Sequence, residues 1–70
     1  MTIAQLKSQL CLFGEYRIGR NHGTYTQPIK YYSSLAGFVN DTDYDDRVVK
    51  YVKVVPFDND KTSWEVYIDV

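Results

Sequence analysis

The sequence has too little cysteine, histidine and uninterrupted apolar chain for several common classes of protein. It holds one cysteine and one histidine among 70 residues, so those ligands cannot build a disulfide framework or a tetrahedral zinc site. No apolar run approaches the ~20 residues that cross a membrane. We expect no secretory leader either, because the apolar run after Lys7 is short. These absences predict a cytoplasmic protein without membrane contact, metal or other cofactor.

The residue types that catalysis needs are also too few and too scattered. His22 falls in the predicted turn Asn21-His22-Gly23, where a solvated side chain is the simpler interpretation. Cys11 lies between two leucines, which favours a buried and unreactive thiol. The glycines do not have the spacing of a phosphate-binding loop. We therefore expect no enzymatic activity.

Tyrosine and charge asymmetry are what the sequence does have. Seven tyrosines are more than a core of this size needs to bury, and tyrosine is enriched at binding surfaces. Residues 1–39 carry four cations against one acid, whereas residues 40–70 carry eight acids against four cations. The division suggests two differently charged faces, unless folding mixes them.

The N-terminal residues have the pattern of an amphipathic helix. Thr2 and Gln5 match a capping box, and apolar residues then recur at helical spacing. Gly14 stands where a helix commonly ends. The pattern predicts a helix over residues 3–13.

Alternating apolar and polar residues after that helix predict two β-hairpins. The first joins strands near residues 15–20 and 24–32. Because proline cannot donate to a ladder, the latter strand either lies at a sheet edge or breaks at Pro28. The second joins residues 47–55, whose first part also fits a helix, to a strand over residues 63–70.

The connecting segments complete a prediction of the fold. Ser33 or Ser34 is expected to cap a single helical turn between the hairpins, and Pro56 is expected to end the third strand. The predicted fold is one α+β domain over residues 1–70, in which the N-terminal helix packs on a small, mainly antiparallel, four-stranded sheet. The other face of the sheet would be open and rich in tyrosine and charge. The predicted core consists of Ile3, Leu6, Leu10, Phe13, Ile18, Val52, Val54, Trp64, Val66 and Ile68.

The stretch NDTDYDD, residues 40–46, begins like a calcium-binding loop. Its aspartates alternate as the first ligands of an EF-hand do. Counted from Asp41, however, the position that needs glycine is Asp46 and the position that needs glutamate is Val52. The stretch is therefore predicted to display charge rather than to bind a metal ion.

The first functional hypothesis is a small inhibitor or adaptor that binds a protein. Carboxylates on a loop suit a basic groove in a partner, where they steer association and exclude nucleic acid. The expected partner is a host protein with a basic groove that binds nucleic acid. The alternative is that the acidic loops only aid solubility. The predicted partner-binding residues are Asp41, Asp43, Tyr44, Asp45, Asp46, Asp58 and Asp60.

In length, helix-first order and acidity, the whole chain looks like the small inhibitors that phages and mobile elements direct against host nucleases and CRISPR effectors (anti-CRISPR proteins). That resemblance implies a protein-binding, non-enzymatic role. It rests on no specific motif and assigns a role to no residue.

The second hypothesis is a module that binds single-stranded nucleic acid through a basic, tyrosine-rich hairpin, where cations contact phosphates and aromatic rings stack on bases. A pI near 5.6 makes it the weaker hypothesis, because phosphate neutralisation dominates such binding. An exposed edge strand would also allow a homodimer. The residues predicted for nucleic-acid binding are Tyr16, Arg17, Arg20, Tyr25, Lys30 and Tyr32.

Overall fold

The computed structural model describes residues 1–57 and 60–70. The elements in chain order are α1 (Ile3–Lys7), β1 (Gly14–Asn21), β2 (Thr26–Tyr32), α2 (Leu35–Asn40), β3 (Tyr51–Phe57) and β4 (Asp60–Asp69). Among the described residues, neither helix has the length or the apolar stretch that a membrane-spanning helix requires.

The four strands form one mixed sheet in the order β2-β1-β4-β3. β1 pairs antiparallel with β2, and β3 pairs antiparallel with β4, so both predicted hairpins are present. The α+β class is confirmed, but the mainly antiparallel prediction did not include the parallel pairing of β1 with β4 at the centre. Alternation along a strand sets the face that each residue takes, but it does not set which strands become neighbours.

Helix α1 begins as predicted and ends earlier. The side chain of Thr2 accepts from the backbone N–H of Gln5, and the Gln5 side chain accepts from the backbone N–H of Thr2 at 2.7 Å, so the capping box is confirmed. The helix ends at Lys7, not at residue 13. The packing of α1 across the sheet stays a prediction. What the structure shows is that the first N–H groups of α1 donate to the carbonyls of residues 45 and 47.

Gly14 begins a strand instead of ending a helix. Its φ is 141°, a conformation that L-residues with side chains rarely adopt. A Cβ at this position would overlap the backbone carbonyl of Trp64 on β4. Glycine at position 14 therefore permits the close approach of β1 and β4. From the sequence alone, such a glycine looks the same as one that ends a helix.

The core is more aromatic than predicted. Tyr16 and Phe38 are fully buried and stack with ring centroids 4.4 Å apart. Two predicted core residues are wrong, since Phe13 is 71% exposed and Val54 is 38% exposed. The prediction of a buried Cys11 is also wrong: the thiol is exposed, since α1 ends before it. Tyrosine suits both a core and a surface, so the sequence did not show which tyrosines would be buried. The buried residues are Ile3, Leu6, Tyr16, Ile18, Tyr32, Phe38, Val66, Ile68 and Val70, with Leu10, Val52 and Trp64 partly buried beside them.

The connection between the hairpins was predicted in part. Ser34 caps α2 by accepting from the N–H of Gly37 at 3.1 Å, which confirms the predicted helical turn. β3 begins at Tyr51 rather than at residue 47, and Pro56 pairs with Trp64 inside the strand instead of ending it. β3 is an edge strand, where a missing donor is tolerated.

Candidate functional site

The acidic loop, residues 40–46, contacts the ammonium group of Lys7 on its inner side. Lys7 Nζ lies 2.6 Å from a carboxylate oxygen of Asp45 and donates to the carbonyls of Asp41 and Val39. The same ammonium lies 5.3 Å from the centroid of the Phe38 ring. Only 10% of the Lys7 side chain is exposed. Lys7 thus occupies the inner side of a loop whose sequence begins like that of a calcium-binding loop.

Asp41 shapes the same loop through its two carboxylate oxygens. One accepts from the hydroxyl of Tyr32 at 2.6 Å, and the other accepts from the backbone N–H of Asp43 at 3.0 Å. The Tyr32 hydrogen bond, followed by the Asp43 N–H, lowers the pKa of the Asp41 carboxyl. Burial, followed by the hydrogen bond to Asp41, raises the pKa of the Tyr32 hydroxyl. Both shifts favour the charged aspartate and the neutral tyrosine that form this contact.

The remaining members of the predicted acidic site face different environments. Asp43 and Asp46 are exposed, and neither forms an ion pair with a described residue. Tyr44 is half-buried against the core, and the guanidinium of Arg47 lies 5.8 Å from its ring centroid. The loop therefore has two inner acids, Asp41 and Asp45, and two outer acids, Asp43 and Asp46.

The last two predicted acids are Asp58 and Asp60. Asp58 lies outside the described residues, and Asp60 is described only by its backbone at the start of β4. In the described part of the chain, no group of three or more histidine, cysteine or carboxylate side chains is arranged to hold a metal ion.

The second charged surface is the sheet face opposite α2, here called the open face: Glu15, Arg17, Tyr31, Tyr51, Lys53, Val55, Glu65, Tyr67 and Asp69. One row crosses all four strands, because Arg17 is in register with Tyr31 and with Tyr67, and Tyr67 is in register with Lys53. Aromatic and basic side chains alternate along this row. Parts of the open face line a shallow depression of about 600 Å³.

The open face largely neutralises its own arginine. Arg17 lies 3.4 Å from Glu15 and 3.3 Å from Glu65, and its guanidinium lies 5.3 Å from the ring centroid of Tyr31. The Tyr31 hydroxyl donates to Glu15 at 2.8 Å, and this hydrogen bond is the largest cause that raises the pKa of Tyr31. Since half of the Arg17 side chain is exposed, these pairs orient the arginine more than they stabilise the fold.

The hydroxyl of Tyr67 lies close to Gly19 of β1. A Cβ at Gly19 would stand 2.8 Å from the Tyr67 hydroxyl, so the tyrosine leans over the glycine. That hydroxyl is buried and has no hydrogen-bond partner among the described residues. Burial of this hydroxyl without a hydrogen bond lowers the stability of the folded state.

The residues predicted for nucleic-acid binding are not brought together. Tyr16 and Tyr32 are buried in the core, so neither offers a ring face for a base to stack on. Lys30 lies over the Tyr32 ring at 5.9 Å, away from the open face. Tyr25 is 60% exposed, but it stacks on His22 at 4.8 Å in the β1–β2 turn.

Only Arg17 of that predicted set belongs to the aromatic and basic row. Arg20 is an odd number of residues from Arg17 and so alternates to the other side of β1. The members of the row that lie outside the predicted set are Tyr31, Tyr67 and Lys53. Alternation in β4 places Tyr67 on the sheet face that points away from the core. Its contact with β1, however, depends on the parallel pairing of β1 with β4, which alternation does not predict.

No family model matches the chain, and no curated protein or solved structure matches it either.

Proposed function

We propose that this chain is a small, non-enzymatic inhibitor or adaptor that acts in the cytoplasm by binding a host protein through its acidic loop. The partner class is a nucleic-acid-binding protein with a basic groove, such as a nuclease or a CRISPR effector. The general resemblance to phage and mobile-element anti-defence proteins supports this class. The lone cysteine, Cys11, supports a reducing compartment.

The division of the acidic loop into inner and outer acids is the observation that carries this proposal. Lys7 and Tyr32 hold Asp45 and Asp41 from inside, so the loop conformation does not depend on the outer acids. Asp43 and Asp46 remain exposed and unpaired among the described residues. A partner that met this loop would lose little conformational entropy in ordering it, and its cations would find carboxylates without a competing internal partner.

Affinity capture with matched charge variants tests the proposal. The tagged chain is used to capture proteins from a bacterial host lysate, and the captured proteins are identified by mass spectrometry. The test variant is Asp43→Asn with Asp46→Asn. The control is Glu15→Gln with Glu65→Gln, which removes the same charge from the open face. We expect the first pair to lose a basic, nucleic-acid-binding partner and the control pair to retain it. Equal retention by both would exclude the acidic loop as the binding surface.

The open face supports a second candidate function, the binding of single-stranded nucleic acid. The specific observation is the row that runs from Tyr31 through Arg17 and Tyr67 to Lys53, since aromatic and basic side chains on a sheet face are typical of such binding. Three acids on the same face, Glu15, Glu65 and Asp69, outnumber its two cations and oppose phosphate. Protein binding is therefore the better-supported function.

A salt titration with a fluorescent single-stranded oligonucleotide separates the two functions. The second candidate predicts micromolar binding that weakens steeply with salt and is lost in Arg17→Glu. The leading proposal predicts no binding at physiological salt. Salt-dependent binding that required Arg17 would replace the leading proposal with the second.

A further inference from the structure

The two edge strands of the sheet differ in how far they resist the addition of another strand. On β2, the register shifts at Gly19, which pairs with Pro28, and proline offers no donor. In the middle of an edge strand, a proline and a bulge are features by which natural edge strands avoid pairing with other chains. On β3, the corresponding features, Pro56 and the register shift after it, come only near the end of the strand.

The β3 edge has a longer regular stretch. From Tyr51 to Pro56 each residue is in register with β4, and the shift comes only after Pro56. β3 ends the strand order, and in residues 1–57 and 60–70 no further strand pairs with it. Alternate residues of such a strand direct their N–H and C=O groups away from the sheet. Backbone donors and acceptors are therefore available along one regular run of residues.

The side chains at this edge add charge and apolar surface. Lys50 and Lys53 are exposed, and neither forms an ion pair with a described residue. Lys7 and Arg17, in contrast, form ion pairs with acids of the same chain. Tyr51, between the two lysines, is 58% exposed. The edge thus combines unpaired positive charge with an exposed aromatic ring.

We propose that the β3 edge binds an extended, acidic segment of a partner protein by strand addition. Main-chain hydrogen bonds would provide the affinity, and carboxylates three residues apart on the added strand would face Lys50 and Lys53, which lie ~10 Å apart along the strand. Residues of high β-propensity between those acids would pack beside Tyr51 and Val52. This surface is separate from the acidic loop, so the inference does not depend on the proposed function.

A designed peptide tests the inference directly. The probe is the blocked peptide Thr-Val-Glu-Val-Thr-Glu, and the control probe is Thr-Val-Lys-Val-Thr-Lys. Each is titrated into the isotope-labelled chain and followed by NMR. We expect the acidic peptide to bind with a dissociation constant of about 1 mM or tighter, with shifts concentrated in β3. Alternate β3 amides should become protected from hydrogen exchange, which attraction between charges alone would not cause.

Matched variants assign the binding to the edge. Lys50→Glu with Lys53→Glu should weaken binding of the acidic peptide at least tenfold, whereas Lys30→Glu on the β2 edge should leave it unchanged. All three lysines are exposed, and thermal unfolding of each variant confirms that it is folded.

Several results would overturn the proposal. These are equal binding of both peptides, shifts without amide protection, or no binding at several times the expected concentration. Self-association through β3, seen by sedimentation without peptide and removed by the double lysine variant, would also overturn it by showing that the occupant is a second copy of the chain.

Discussion

The acidic loop and the open face both contain several charged side chains, but these side chains are paired in different ways. In the loop, a nearly buried lysine and a buried tyrosine hold two acids from inside, and two others are exposed on the outside without an ion pair to a described residue. On the open face, Arg17 lies between two glutamates and forms ion pairs with both in the plane of the surface. The comparison teaches that the charge available to a partner depends on which side chains already form ion pairs within the chain. The number of charged residues in the sequence does not show this.

Replacing Lys7 should have the largest effect. Lys7→Met leaves the Asp45 carboxylate and the Asp41 and Val39 carbonyls without their donor. Because Asp45 is itself 31% exposed, we expect a loss of about 2–3 kcal/mol in the free energy of unfolding, at the low end for a broken buried pair. Urea denaturation measures it.

Arg17→Met is the matched change on the open face. Its ion pairs are long and its side chain is 49% exposed, so the free energy of unfolding should change by less than about 0.5 kcal/mol. Similar losses for the two variants would contradict the distinction between an inward-facing and a surface-paired cation.

Gly19 and Tyr67 test how the open face is assembled. Gly19→Ala places a Cβ 2.8 Å from the Tyr67 hydroxyl and 3.0 Å from the Gln27 carbonyl oxygen, which should cost about 1–2 kcal/mol. Tyr67→Phe removes the unpaired hydroxyl and should stabilise the fold by up to about 1 kcal/mol. In a double-mutant cycle, Gly19→Ala should cost less when residue 67 is phenylalanine. Additive effects would show that Tyr67 does not rest on Gly19.

A moderate stability effect is expected at Tyr32, and its pH dependence is informative. Tyr32→Phe removes the hydrogen bond to Asp41 and should cost about 1 kcal/mol at neutral pH. In the native chain, the pKa of Asp41 lies below its ordinary value of 3.8, so its contribution is present above that pH and is lost as pH falls through the folded pKa. The pKa of Tyr32 lies above its ordinary value of 10.0, so its contribution is present below that pH and is lost as pH rises further.

The variant should therefore lose less stability than the native chain at both ends of the pH range. Tyr44→Phe is the control, since the Tyr44 hydroxyl makes no hydrogen bond with a described residue. If the pH profile of Tyr32→Phe paralleled that of the native chain, the Tyr32–Asp41 contact would not hold the loop.

Local rules were sufficient for the elements but not for their assembly. Alternation and proline placement predicted the first hairpin and the edge position of β2, and Ser34 predicted the start of α2. The parallel pairing of β1 with β4 depends on contacts between opposite ends of the chain, which no local pattern encodes. Gly14 was misassigned because a helix end and a close approach of two strands both favour glycine.

The candidate site was predictable to a similar degree. The cluster of four aspartates was visible in the sequence, but its division into inner and outer acids required the positions of Lys7 and Tyr32. Lys7 lies 38 positions before Asp45 in the chain, and Tyr32 lies nine positions before Asp41. Sequence reasoning therefore located the loop and could not say which of its acids a partner would meet.

Competition with nucleic acid tests the central claim most directly. A partner captured by the chain is purified and bound to a fluorescent oligonucleotide, and the native chain or a variant is titrated in. The account predicts that the native chain displaces the oligonucleotide and that Asp43→Asn with Asp46→Asn does so about tenfold less well, a difference of about 1.4 kcal/mol. Glu15→Gln with Glu65→Gln should match the native chain. Equal displacement by both double variants, or a partner that bound the chain and the oligonucleotide together, would contradict the claim that the outer acids occupy a basic groove.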